Sequence, residues 1–263
     1  MPFTVSHAVV ALPFIRTPLV PAAIAIGSMI PDLPMFLRPL GVIGLTYSRT
    51  HDYAWLPLTV AVALLALLLW RCVLRSATAE LAPRWIAERL PKRWSVSPRE
   101  AFRETWGSPR GSLWAALLLV LSFALGVVSH ILWDSFTHEG RGGTVLAGLD
   151  SLWGPLPGYK WLQYGSGVVG MLILGVWAAL WWRRQSVHAV QRRTSGVLRL
   201  LWWVSFPLVL VISAALVMVR GAPVGESLTP GHIAYGVLPA LGVWGLVTLG
   251  LCVALAVRSR PQQ

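Results

Sequence analysis

Five long apolar runs dominate the chain, at 54–74 (AWLPLTVAVALLALLLWRCVL), 113–133, 164–182, 200–219 and 236–257. A hydrocarbon core about 30 Å thick is crossed by roughly 20 apolar residues in helical form, at about 1.5 Å per residue. The runs are of that length, so the pattern predicts five transmembrane helices. A sixth apolar segment, 8–30, is interrupted by Pro13, Arg16, Pro18 and Pro21. Proline removes a backbone donor and clashes with the preceding turn, so this segment is expected to be broken or re-entrant rather than one straight helix. The expected fold is all-α: a polytopic membrane helix bundle of five to six spans with a broken or re-entrant N-terminal segment.

Composition agrees with that pattern. The chain of 263 residues is 56% hydrophobic and only 12% charged, whereas an ordinary soluble domain carries about 25% charged residues. The formal net charge of +12 raises the question of nucleic acid, and its distribution answers it. Nine of the 22 basic residues fall between Arg71 and Arg110, five between Arg183 and Arg199, and two in the tail at Arg258 and Arg260. These clusters alternate with basic-poor loops at 31–53, 134–160 and 220–235, as the positive-inside rule predicts for cytoplasmic ends. They lack the aromatic interleaving or zinc spacing of a nucleic-acid reader. The expected partner is membrane lipid, whose anionic headgroups attract such clusters, and not nucleic acid.

The chain therefore reads as a single membrane domain, 1–263, with a basic cytoplasmic insert at 76–110. That insert has helical patches such as AELAPRWIAERL and an expected break at Ser95-Val96-Ser97-Pro98. MPFTVSH lacks a basic n-region and no A-x-A site follows an uninterrupted apolar core, so the N-terminus is expected to be retained. The two cysteines, Cys72 and Cys252, lie in or at the end of apolar runs and indicate no disulfide framework.

Candidate chemistry enters through SHILWDSFTHEG, 129–140, which places His130, Asp134 and His138 at four-residue intervals where an apolar run ends. With 76–110 cytoplasmic, His51, Asp52, His130, Asp134 and His138 share the extracytoplasmic end. Asp32 joins them if the first segment also ends there. Residues four apart on a helix are separated by about 6 Å along the axis and about 40° around it, so His130 and Asp134 can address one ion. His138, about 12 Å from His130 on a continuous helix, joins only if the helix bends or ends first. The Gly-rich stretch up to Gly143 makes an ending expected. His7 reaches the same layer if the proline-rich break turns residues 5–30 into a helical hairpin.

Imidazoles with carboxylates suit a divalent metal: zinc, with manganese and iron as alternatives. The plainer reading is that His130 and Asp134 form a structural pair and that Pro-Asp-x-Pro around Asp32 is a turn. His188, among arginines, is expected in solvent, and GHIAY around His232 specifies no ligand. Arg38, Arg49, Arg141 and Lys160 fall on the same layer and can hold an anionic group or a lipid headgroup.

MPFTVSHAVVALPF, GSMIPDLPMFL, Arg49-Thr50-His51 and SHILWDSFTHEG together resemble an uncharacterised bacterial membrane family, domain of unknown function 4184. More distantly, the chain is similar to membrane-bound hydrolases classed as metal-dependent. The resemblance implies a bacterial plasma (inner) membrane location and a metal site at His7, Asp32, His51, His130 and Asp134, with His138 nearby. Asp52 follows His51 where the family pattern has a small polar residue, so it either adds a ligand or caps the next helix.

The expected function is a metal-dependent hydrolase acting at the extracytoplasmic face on a lipid-borne or membrane-associated (phospho)ester. Asp52 or His138 is then the general base, and Arg49 or Arg141 steadies a phosphate. The alternatives are an ion or metal transporter and a non-catalytic scaffold.

Overall fold

A computed structural model describes residues 4–38, 41, 44–106, 112–139, 148–190, 192–221 and 227–258. Among these, five helices are long and apolar enough to cross a membrane. The first combines α4 (Leu56–Leu69), a π-turn at Trp70–Leu74 and α5 (Arg75–Leu81). The others are α8 (Ser112–Thr137), α9 (Gly158–Arg183), α10 (Gly196–Arg220) and α11 (Pro230–Arg258). Their outward faces carry side chains such as Val168, Leu172 and Val176 on α9 and Val204, Leu208 and Val211 on α10. That is the surface a hydrocarbon solvent requires, and the chain is an integral membrane protein of all-α architecture.

The N-terminal segment is broken, as its prolines predict. A 3₁₀ arm, Thr4–Phe14, ends just after Pro13. The turn beyond it is closed by Thr17, whose hydroxyl donates to Phe14 O at 2.9 Å. The chain then enters α1 (Pro21–Gly27), with Pro21 in the first turn, where its missing N–H is not needed. A 3₁₀ turn at Ile30–Asp32, α2 (Leu33–Leu37) and α3 (Tyr47–Thr50) follow before α4.

The chain separates into two compact units. The first comprises Met1–Leu33, Leu45–Leu68 and Glu104–Arg184. In it α1 crosses α8 with backbone almost touching backbone. A Cβ on Gly27 would lie 2.6 Å from Phe123 O, and one on Gly126 would overlap Ile24 O and sit 2.8 Å from Ser28 N. Small residues at such crossings let helices approach closely where no hydrophobic force drives them together. On α9, a Cβ at Gly170 would lie 3.1 Å from Ser6 of the arm. A short hairpin, β1 (Leu152–Trp153) with β2 (Leu156–Pro157), leads into α9 and turns through Gly154 at φ +75°.

The second unit comprises Pro34–Gly44, Leu69–Arg103 and Gln185–Gln263. Ala77, Leu81 and Cys252 form its buried core, flanked by Val73, Leu74, Trp202 and Leu255. The Glu80 carboxylate accepts from the Thr194 backbone N–H and hydroxyl, each at 3.1 Å. The insert continues as α6 (Arg84–Ala87) and a 3₁₀ turn at Lys92–Ser95. The expected break follows, with Val96 extended, before α7 (Pro98–Trp106).

Candidate metal centre

One stripe of α8 organises the centre. Ser122, Gly126, His130 and Asp134 recur every four residues and so share a face. The Ser122 hydroxyl accepts from Val20 N at 2.9 Å at the entry to α1. Gly126 admits the α1 backbone one turn on. One turn further, His130 Nδ1 donates to Ser28 O at 2.7 Å, just beyond the end of α1. His130 and Asp134 are 0% and 1% exposed.

The second half of the centre comes from two short segments. Asp32 closes the 3₁₀ turn that Pro31 helps start and is wholly buried. His51 sits at the C-cap of α3, whose N-cap Thr46 accepts from Arg49 N. The Thr50 hydroxyl donates to Pro31 O at 2.7 Å and so ties His51 to the residue before Asp32. His51 Nδ1 donates to Tyr47 O at 2.9 Å.

These backbone bonds fix the tautomers. A carbonyl oxygen only accepts, so both Nδ1 atoms carry protons, and in the neutral rings both Nε2 atoms present lone pairs. The two Nε2 atoms face each other at 3.2 Å. His51 Nε2 lies 3.7 Å from Asp32 Oδ1 and 3.3 Å from Asp134 Oδ2. His130 Nε2 lies 3.6 and 3.5 Å from the same two atoms. A charge-assisted N–H···O bond would be about 2.7–2.9 Å long, so these are not the distances of a hydrogen-bonded ion-pair network. They match the roughly 3.3–3.6 Å edges between tetrahedral ligands with bonds of about 2.0–2.2 Å.

All four ligand atoms lie within 4.8 Å of one another. Asp32 Oδ1, Asp32 Oδ2 and Asp134 Oδ2 are buried with no hydrogen-bond partner among the described residues. Four acceptors converge with no donor among them, a set that can hold a metal ion.

His7 and His138 stand at the edge of this group. The His7 ring packs against His130 with centroids 4.2 Å apart, and its Nε2 is 3.9 Å from Asp134 Oδ1. The hairpin of the arm and α1 therefore brings His7 and Asp32 to one place. Helix α8 ends at Thr137, which lets His138 turn back until its Nδ1 is 3.6 Å from Asp134 Oδ2. Lys160 Nζ donates to Gln163 Oε1 at 3.1 Å, which orients the amide so that its NH₂ donates to His138 Nε2 at 3.0 Å. A cavity of about 570 Å³ opens beside these groups, with His7, Asp134, His138 and Gln163 on its wall.

The other sequence candidates lie elsewhere. Asp52 is exposed and caps the turn Tyr53–Trp55 by accepting from Ala54 N at 2.9 Å, so of its two roles the structure shows the cap. The Arg49 guanidinium lies over Trp55, 4.5 Å from the ring centroid. Arg141 lies outside the described residues. His188 is half-buried, with its backbone N–H on Glu88 O at 2.9 Å, and His232 accepts from Thr229 N at 3.2 Å.

The family comparison covers all the segments that contribute to the centre. The family model described as Domain of unknown function (DUF4184) matches residues 1–259. The chain belongs to this family. No curated protein and no solved structure matches it. The match covers the motif-bearing segments up to Gly140 and continues through α10 and α11.

Sequence reasoning gave no role to six residues that build this DUF4184 centre: Ser28 and Tyr47 through their carbonyls, Thr50, Gln163, and the glycine pair Gly27 and Gly126. Gly27, Ser28 and Thr50 stand within the motifs GSMIPDLPMFL and Arg49-Thr50-His51, and Gln163 shows as an amide at the start of an apolar span.

Proposed function

We propose that this protein is a metal-dependent hydrolase of a membrane-associated ester or phosphoester. It would work at the extracytoplasmic face of a bacterial plasma membrane, with the basic insert 76–110 in the cytoplasm. The observation that carries the reading is the convergence of four buried acceptors, His51 Nε2, His130 Nε2, Asp32 Oδ1 and Asp134 Oδ2, beside an open cavity. Two imidazoles and two carboxylates suit zinc, manganese or iron. When bound, the ion would lower the pKa of a water and polarise the scissile group.

The chain's own residues do the rest. Ser28 and Tyr47 hold the two imidazoles in the ligating tautomer through their carbonyls, as outer-shell acceptors do in metal sites. His7, on the cavity wall beside Asp134, is placed to take a proton from the attacking water and return it to the leaving oxygen. In that exchange the water oxygen bonds to the acyl carbon or phosphorus, the bond to the leaving oxygen breaks, and the leaving oxygen gains the proton. Gln163 and the Asp134 carbonyl hold His138 against the Asp134 carboxylate. Spans α9, α10 and α11 carry ionisable residues only towards their ends, which argues against the relay through the bilayer that a transporter needs.

Elemental analysis of the full chain in detergent tests this reading, with wild type beside His130→Ala and Asp134→Ala. The expected result is near-stoichiometric zinc, manganese or iron in wild type, lost in both variants, with turnover of bilayer-embedded esters only by the metal-loaded protein. Wild-type protein that takes up none of these ions on reconstitution would sink the proposal.

A further inference from the structure

In the cavity beside the centre His7, Asp134, His138 and Gln163 stand together, and the rest of the lining is aliphatic, aromatic, glycine or hydroxyl. On α9 the cavity is lined by Gln163, Ser166, Gly170 and Ile173, spaced by three and four residues along one helix face. The ten residue steps from Gln163 to Ile173 cover about 15 Å of helix. That is half of a hydrocarbon core of about 30 Å, the depth of a single leaflet's chains. On the arm, His7 and Val10 both face the cavity and are one 3₁₀ turn apart, about 6 Å. The lining therefore changes from imidazole to aliphatic within one turn.

Three hydroxyls on the cavity wall, those of Ser129, Thr137 and Ser166, are already engaged. Ser129 donates to Gly126 O at 2.7 Å, Thr137 donates to Trp133 O at 3.2 Å, and Ser166 accepts the Trp133 indole N–H at 3.1 Å. None of them needs a polar ligand. The volume of about 570 Å³ falls within the roughly 300–1,000 Å³ of small-molecule sites.

Resting on the hydrolase reading above, we infer that this cavity holds one hydrocarbon chain of an ester-linked lipid, and that the bond cleaved lies at the junction of chain and headgroup. A chain lying along Val10, Gly170 and Ile173 ends at His7, Asp134 and Gln163. The first polar linkage of the lipid then meets the four acceptors. A bond further out in the headgroup would lie beyond them. The chain leaves the bilayer for the protein, and this fixes which ester is presented.

The test uses full-length protein in mild detergent, loaded with zinc, and a phosphatidylcholine bearing a diazirine midway along one chain. After photolysis, adducts are mapped by peptide mass spectrometry, and metal content is read on the same samples. Adducts are expected on 163–173 and on the arm, in excess over the outward face of α10 at Val204, Leu208 and Val211. Val10→Trp and Val169→Trp fill the cavity from two sides. Val169 is 54% exposed, so its replacement leaves the packed interior alone. Both variants are expected to lower cavity labelling about tenfold, equivalent to about 1.4 kcal/mol, with metal retained.

Equal labelling of the cavity and α10 faces, or labelling unmoved by both tryptophans, would show bulk lipid contact only and overturn the chain site. Metal retained in that case leaves the hydrolase reading standing. Selective labelling of a protein that never takes up metal overturns the hydrolase reading and keeps the chain site.

Discussion

Two helix pairs close in opposite ways. Helices α1 and α8 meet through Gly27 and Gly126, with backbone carbonyls where side chains would be. Helices α10 and α11 meet through side chains: a Cβ on Gly236 would meet the Val217 side chain, and large rings fill much of the rest. Trp244 packs on Trp202 and Phe206 with centroids 5.6 and 4.9 Å apart, and its indole N–H donates to Ser205 Oγ at 2.9 Å. The first pair leaves no slack, because a carbonyl cannot rotate aside as a side chain can. It is also the pair that buries Ser28, Asp32, His130 and Asp134. Tight backbone contact fixes Ser28 O, to which the His130 ring donates. Ring packing between α10 and α11 asks only that volume be filled.

The largest expected effect strikes the glycine crossing. Gly126→Leu drives a side chain into Ile24 O and Ser28 N. Overpacking of this kind costs about 1–3 kcal/mol, and with backbone as the obstacle the upper end is expected. Because Ser28 O also anchors His130, metal content should fall with stability. Gly165→Ala is the contrast: a Cβ there meets nothing within 4 Å. It should stabilise α9 by about 0.5–1 kcal/mol and leave metal unchanged. Chemical unfolding in detergent with elemental analysis reads both; equal effects of the two would abolish the distinction.

The same contrast explains what could be read from the sequence. The five spans were legible because bilayer thickness sets their length, and His130 with Asp134 because helical periodicity places them together. Pro13, Pro18 and Pro21 announced a break, but only the folded hairpin puts His7 beside Asp134. The Ser28 and Tyr47 carbonyls could not be seen, since every residue carries that group. Gly126 sits in an apolar run where glycine excites no notice, and its partner Gly27 is 99 positions away. For Arg49 and Asp52, sequence adjacency to His51 gives no direction for the side chain. One stacks on Trp55 and the other caps a turn.

Next in size is Thr50→Val, which keeps the shape and removes the hydroxyl that donates to Pro31 O. It leaves the ligands intact and loosens the link between His51 and Asp32. Changes in the outer shell of metal sites typically reduce affinity by about 10–100-fold, and that range is expected in a competitive chelator titration. An unchanged affinity would show that α3 is held by other means. Smaller again is Trp244→Phe in α11, which loses the bond to Ser205. Interhelical hydrogen bonds in membranes average about 0.6 kcal/mol, so stability should drop by roughly that amount with metal content untouched. A metal loss here would break the separation between the two pairs.

The smallest effect lies at the start of α7 in the insert, at an exposed helix cap. Ser97 and Glu100 form a capping box at the start of α7: Ser97 N donates to Glu100 Oε2 at 3.0 Å, and Glu100 N donates to Ser97 Oγ at 3.3 Å. The Ser97 backbone N–H, then its hydroxyl, hold the Glu100 carboxyl below its ordinary value of 4.5. A depressed carboxylate pKa contributes stability above the ordinary value and loses it as pH falls through the lowered one. The first turn of α7 should therefore open in acid while the membrane helices stay folded. Hydrogen exchange at Ala101 and Phe102, corrected for intrinsic rates, should show Glu100→Gln less protected than wild type at neutral pH. The gap should close once the wild-type carboxyl is protonated. A gap that persists in acid would mean that the cap acts through packing rather than charge, and that this part of the insert is built more like the ring-packed helices than its exposure suggests.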